Sequence, residues 1–293
     1  MPAIPSLRIS LTDACNLRCV YCHAEGMREV RRSRRLLPGD VELIVRTGTA
    51  FGVRRVKLTG GEPLLRWDVV RVVERLAGIR ELASLSMTTN GVLLGEMAGE
   101  LVRAGLRRVN VSLDTLRERT YASLTGGGML RRVVEGIDEA LARGMEVELN
   151  TVVMRGINLE ELPGIIEFAS RRGCSLQLIE LVEPAHNPTF YRRHHVGLEV
   201  VECMLASVGE RVAGRRSPHD RPVYLVDGVR VSLCTRVRTS SGCTGMRCRG
   251  LRVTADGFLR GFRYSDSRRV EIPGDGERGV RRAFERAVEL LLD

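Results

Sequence analysis

Between residues 6 and 181, short aliphatic and β-branched runs alternate with amphipathic helical stretches, and this alternation restricts the fold more than any other feature. The strand candidates are Leu7–Leu11, Arg55–Thr59, Leu82–Thr88, Arg108–Leu113, Glu146–Val153 and Ser175–Leu181. Helical periodicity falls between them, near 39–51, 68–77, 92–104, 130–143 and 159–171. Such βα repetition predicts an α/β fold with a parallel sheet and right-handed crossovers. Six strands suit an open, partial barrel and are too few for a closed eight-stranded one. After Pro184 the pattern changes to a helix near 196–208, short strands near 222–234 and 251–263, and a final helix from about 277. The expected organisation is a core domain over 1–184 and an α+β extension over 185–293.

The residues that suggest chemistry fall at the C-terminal ends of the strand candidates, where α/β barrels carry their sites. After the first strand comes CNLRCVYC, which spaces Cys15, Cys19 and Cys22 as C-x3-C-x2-C. Three thiolates in one tight loop can hold three irons of a [4Fe–4S] cube and leave the fourth iron open. Soft thiolates suit zinc as well. A structural zinc site takes four ligands, and here only His23 stands near enough in sequence to complete one. The second strand ends in LTGGEP, Leu58 to Pro63. Gly60 and Gly61 permit close backbone approach, Glu62 offers an acceptor for an ammonium group, and Pro63 stiffens the turn. Alone, GGEP is an ordinary turn; its place beside the cysteine loop makes it informative.

Composition narrows the function classes. The chain has 293 residues and a net charge of +10, and 43% of its residues are hydrophobic. It contains no apolar run long enough to span a bilayer and no leader-like N-terminus, so a cytoplasmic protein without a membrane partner is expected. Lys57 is the one lysine among 46 basic residues. The positive charge attracts anions, but it is scattered and aromatics are only 4%, so a nucleic-acid platform is not expected. Eight cysteines in such a chain point to metal or redox chemistry rather than a disulfide framework. Two of them, Cys174 and Cys203, lie in apolar surroundings and read as core residues.

The cysteine loop and LTGGEP together resemble the radical S-adenosylmethionine (SAM) superfamily. LRISLTDACNLRCVYC, VKLTGGEPLLRWD, TTNGVLL, RVNVSLDTL, LNTVVMRGIN and LRVTADG occur in the order seen in the GTP 3′,8-cyclase family of molybdenum cofactor biosynthesis. The resemblance covers roughly residues 6–265 and is specific over 6–183. It implies a partial (β/α)6 TIM-like barrel, a [4Fe–4S] cluster on Cys15, Cys19 and Cys22, and SAM chelated to the open iron. It implies further that a 5′-deoxyadenosyl radical takes the 3′ hydrogen of GTP, whose ribose then attacks C8 of guanine. Tyr21, Gly61 and Ser112 match SAM contacts, and Arg8, Lys57 and Thr88 match positions used for GTP. A ferredoxin or flavodoxin as electron donor, and the next enzyme of molybdopterin synthesis, are the implied partners.

The C-terminal third departs from that pattern. The family's second cluster uses three cysteines, of which Cys248 aligns with one while Cys243 is displaced and Phe262 fills the third position. Phenylalanine cannot bind iron, and Cys234 is the candidate replacement. An arginine pair survives only as Arg252, because Gly250 replaces its first member, and a phosphate-binding lysine appears as Glu148. Val182 stands where the family has a methionine near SAM. Two rival expectations therefore stay open: a radical SAM paralogue acting on another nucleotide or a peptide, and a non-catalytic iron–sulfur protein that binds nucleotide.

Overall fold

The computed structural model describes residues 4–22, 36–184, 186–212, 221–235, 250–261 and 268–292. The elements in chain order are β1 (Ser6–Ser10), α1 (Pro38–Ala50), β2 (Arg55–Thr59), α2 (Val69–Ala77), β3 (Ser84–Thr89), α3 (Leu94–Arg103), β4 (Arg108–Ser112), α4 (Glu118–Thr125), α5 (Leu130–Ala142), β5 (Glu146–Val153), α6 (Leu162–Arg172) and β6 (Ser175–Glu180). There follow α7 (Pro188–His194), α8 (Leu198–Val208), β7 (Glu210–Arg211), β8 (Val223–Val226), β9 (Val229–Cys234), β10 (Gly250–Val253), β11 (Phe258–Gly261), β12 (Arg269–Glu271) and α9 (Glu277–Leu292). The six expected strands are present with ends moved by a residue or two. Two short helices, α4 and α7, were not expected. Neither is long enough to show a helical period, and each is defined by its packing.

A period of two runs through the parallel strands: Ser-Leu-Arg-Ile-Ser in β1, Arg-Val-Lys-Leu-Thr in β2, Arg-Val-Asn-Val-Ser in β4. Parallel strands covered by helices on both faces are apolar throughout. Here only one face is. Leu7, Ile9, Val56, Leu58, Met87, Val109, Val111, Leu149, Leu176 and Leu178 are all buried on the side of the helices. Each such aliphatic side chain contributes about 1.5–3 kcal/mol of burial. The opposite face carries the polar residues Arg8, Lys57, Asn110, Glu148 and Gln177.

Among the described residues the twelve strands form one sheet, in the order β12-β11-β10-β1-β2-β3-β4-β5-β6-β9-β8-β7. The order has two ends, so the barrel is open. Strands from beyond Pro184 extend both edges: β10 pairs parallel with β1, and β9 pairs parallel with β6. The remaining C-terminal strands add antiparallel. The final helix α9 packs on α1, and its Phe284, fully buried, stacks on Phe51 at 5.2 Å between ring centroids.

Cys174 is buried as expected, but Cys203 is exposed. Helix α8 buries Leu198, Val201 and Leu205, and a residue two positions past Val201 is turned about 200° around the helix, onto its outer side. Among the described residues no helix is long and apolar enough to cross a membrane.

Candidate active site

The loop from Leu11 to Cys22 has no helix or strand of its own and is held from both sides. On one side Leu11 N–H donates to Thr59 O at 2.8 Å, Gly61 N–H to Thr12 O at 2.7 Å, and Glu62 N–H to Ala14 O at 2.7 Å. On the other, Arg18 N–H donates to Thr125 O at 2.8 Å and Val20 N–H to Leu124 O at 2.9 Å, at the end of α4. The helix absent from the sequence reading is thus one wall of the cysteine loop. The two glycines of LTGGEP have a steric role here. A Cβ on Gly61 would lie 2.2 Å from Ala14 O, and one on Gly60 would lie 2.6 Å from Thr12 O. No side chain fits where these two loops touch.

Glu62, expected to meet an ammonium group, is 1% exposed. Its Oε1 accepts from Leu64 N–H at 3.0 Å and from the Thr89 hydroxyl at 2.7 Å, and its Oε2 accepts from Asn90 N–H at 2.7 Å. Burial raises its pKa, and these three donors oppose the rise. In this structure the carboxylate locks the loop after β2 to the loop after β3.

Arg66, three residues beyond Pro63, is a buried guanidinium paired with the Asp68 carboxylate. Its Nη1 donates to Leu11 O at 3.1 Å and its Nη2 to Leu36 O at 2.7 Å. It therefore ties together the two points where the chain enters and leaves the cysteine-loop region. In the sequence Arg66 stands inside VKLTGGEPLLRWD, but nothing in that motif marks it as a clamp on Leu11 and Leu36.

The three thiols are partly buried around this loop. Burial pushes the Cys19 thiol up to about 12, helped by the nearby Asp114 carboxylate and by Cys22 and Cys15. Cys15 is raised too, first by burial and then by Glu62 and Cys22. Three neighbouring thiols beside two carboxylates would ionise together only with a strong positive charge among them, which iron held by Cys15, Cys19 and Cys22 would supply. On donor chemistry, the residues fit an iron–sulfur cluster.

Tyr21 donates its hydroxyl hydrogen to Asp114 Oδ2. Asp114 Oδ1 accepts from Val152 N–H at 2.7 Å, and Asn158 Nδ2 donates to Asp114 O at 2.7 Å. The ring packs with Leu124, Met154 and Leu181 in a small apolar cluster that also takes in Phe190 and Tyr191 of α7. Burial raises Asp114 to about 6. The only trace of Asp114 in the sequence is its place two residues beyond Ser112 in RVNVSLDTL.

The polar face of the sheet is divided by charge. Arg252, Arg8 and Lys57 lie side by side on β10, β1 and β2, and Ser86 follows on β3. One rung away, Thr88, Asn110 and Glu148 face one another across β3, β4 and β5. Glu148 accepts a hydrogen bond from Asn110 Nδ2. Lys57 is lowered to about 8, by burial first and by Arg8 second, and Glu148 opposes the shift. Ser112 ends β4 opposite Asn150, on the same inner face. Gly250 begins β10 opposite Ser6. Cys234 ends β9 opposite Ile179 of β6. His23, Cys243, Cys248 and Phe262 lie outside the described residues.

Residues 9–169 match the family profile described as the Radical SAM superfamily, so the chain belongs to that superfamily. In overall shape it is similar to Streptococcus suis SuiB bound to S-adenosylmethionine, with a TM-score of 0.69 at 17% identity over 95% of this chain and 68% of that one. It spans 60% of the chain in another SuiB structure. Within the superfamily the chain belongs to the GTP 3′,8-cyclase family. It is 37% identical to the probable GTP 3′,8-cyclase of Methanothermobacter marburgensis over 97% of this chain and 93% of that protein. It is 40% identical to the one from Pyrococcus abyssi over 88% and 84%.

Proposed function

We propose that this enzyme converts GTP to (8S)-3′,8-cyclo-7,8-dihydroguanosine 5′-triphosphate, the radical step that opens molybdopterin synthesis. One observation supports this reading above the others: β1 carries the three-thiol loop at its end and, within the strand, Arg8 in a registered row of three cations. Cys15, Cys19 and Cys22 would hold the cluster, and Tyr21, Gly60, Gly61 and Ser112 would contact SAM. When bound, the cluster and SAM supply one-electron hydrogen-abstraction chemistry. The protein's own share is binding, orientation and exclusion of water. Arg8, Lys57 and Arg252 take the triphosphate, and Thr88 a polar group of the nucleoside. Residues 1–184 carry the cofactors, and 185–293 close the substrate side. The enzyme works in the cytoplasm with a small electron-transfer protein and passes its product to the next enzyme of the route.

Anaerobic incubation with GTP, SAM and dithionite, followed by mass spectrometry, tests the reading. The expected products are 5′-deoxyadenosine and the cyclised nucleotide, both dependent on GTP. SAM cleavage with GTP recovered intact would reject GTP as substrate. Iron and sulfide analysis of the same sample counts one cube or two.

The Lys57 assignment carries its own pH signature. With a pKa near 8, the side chain is charged below that pH and neutral above it. GTP affinity without turnover should therefore weaken as pH rises from 7 to 9, by about tenfold if one proton is involved. Lys57→Arg should flatten the dependence. Lys57→Ala should lower GTP affinity at pH 7, and an unchanged affinity removes Lys57 from the phosphate site.

A further inference from the structure

TTNG runs from the end of β3 into the loop after it, and the proposed chemistry uses its Thr88 but leaves its Asn90 without a role. Asn90 is held in one orientation. The backbone N–H is bound by Glu62 Oε2 at 2.7 Å, and the side-chain Oδ1 accepts from Val92 N–H at 3.0 Å, closing a short turn. With Oδ1 committed to that donor, Nδ2 faces the cysteine loop. There it donates to Asn16 Oδ1 at 2.7 Å and points at Cys15 Sγ at 4.0 Å. Leu17 N–H approaches the same sulfur at 3.4 Å. Cys15 is thus the thiol met by both an amide side chain and a backbone N–H.

We propose that Asn90 is a positioning residue that raises the reduction potential of the cluster by donating a hydrogen bond to the Cys15 thiolate. The inference rests on Cys15, Cys19 and Cys22 being the cluster ligands. Hydrogen bonds to cluster sulfurs are among the factors that set the potential. A donor at the sulfur favours the more electron-rich, reduced state, so its loss makes the cluster harder to reduce. Glu62 then has a consequence at a distance. By binding the Asn90 N–H it fixes the amide that faces the sulfur.

The test is an EPR-monitored redox titration of the anaerobically reconstituted enzyme without SAM, with iron counted on each sample. Asn90→Ser and Asn90→Asp both keep an oxygen for Val92 N–H; aspartate has no donor, and the serine hydroxyl is one bond shorter than the amide that reaches the sulfur. Each is expected to titrate at a more negative potential than wild type with its iron retained, and the aspartate more so because it adds negative charge. An unmoved or more positive potential in Asn90→Ser, with the cluster intact, overturns the proposal. If either variant fails to keep iron, pulsed EPR on the reduced wild-type cluster, labelled with 15N-asparagine, decides the matter. Coupling to an asparagine nitrogen supports the hydrogen bond, and its absence overturns it. A wild-type protein that takes up no iron rejects the ligand assignment instead, so the two failures are distinct.

Discussion

Cys19→Ala is expected to leave a folded protein that retains almost no iron after reconstitution and cleaves no measurable SAM. Cys19 sits at the centre of the loop, with Cys15 and Cys22 on either side and Asp114 close by. Removing it leaves two ligands for a cube that needs three from the protein. The loss should far exceed the roughly 10–100-fold that outer-shell partners of metal sites cost. The fold should survive, because the loop is held by backbone bonds to Thr59, Gly61 and the end of α4, none of which involves the sulfur. Cys203→Ala is the matching control: that thiol is exposed on α8, and its loss should change neither iron content nor SAM cleavage. Iron analysis, the visible spectrum and chromatographic detection of 5′-deoxyadenosine read the outcome. Full iron in Cys19→Ala, or wild-type protein that binds zinc in place of iron, would refute the cluster assignment.

Arg66→Met is expected to act on stability and, through it, on the site. The substitution removes the guanidinium beside a buried carboxylate and takes donors from two main-chain carbonyls, Leu11 O and Leu36 O. Breaking one side of a buried ion pair costs about 3–5 kcal/mol. For a chain of this size that lowers the thermal midpoint by on the order of 10 °C. Replacing both partners, as Arg66→Met with Asp68→Leu, should cost less than Arg66→Met alone, because no charge is then stranded. Because Leu11 leads into the cysteine loop, Arg66→Met should also lose iron to a chelator faster than wild type. A thermal midpoint within about 2 °C of wild type, with unchanged chelation kinetics, would show that the clamp is not needed.

Much of this protein is legible from its residues in order. The alternation of short strand runs with helical stretches predicts six parallel strands, and all six are found, while the division of each into a helix-facing and a polar face is seen in the folded sheet. Cysteine spacing and the double glycine announce the mouth of the barrel. The register then brings Arg8, Lys57 and Arg252 into one row, from three strands that are far apart in sequence. Helix α4 was missed because eight residues with few apolar positions show no period. The exposed Cys203 was misread because an apolar neighbourhood in sequence does not say which side of a helix a residue takes.

Local pattern and ligand chemistry are written along the chain, because strand period, thiol spacing and the need for glycine act over a few residues. They were enough to predict an open α/β barrel and its chemical end, while the family came from the resemblance of six ordered motifs. What required the folded protein is the company each polar group keeps: Glu62 locked inward on Thr89 and Asn90, Tyr21 bonded to Asp114, Arg66 clamping Leu11 and Leu36, Glu148 set against Lys57. Hydrogen bonds and charge interactions decay over a few ångströms. Their partners are chosen by which strands become neighbours, and only the closed tertiary structure decides that.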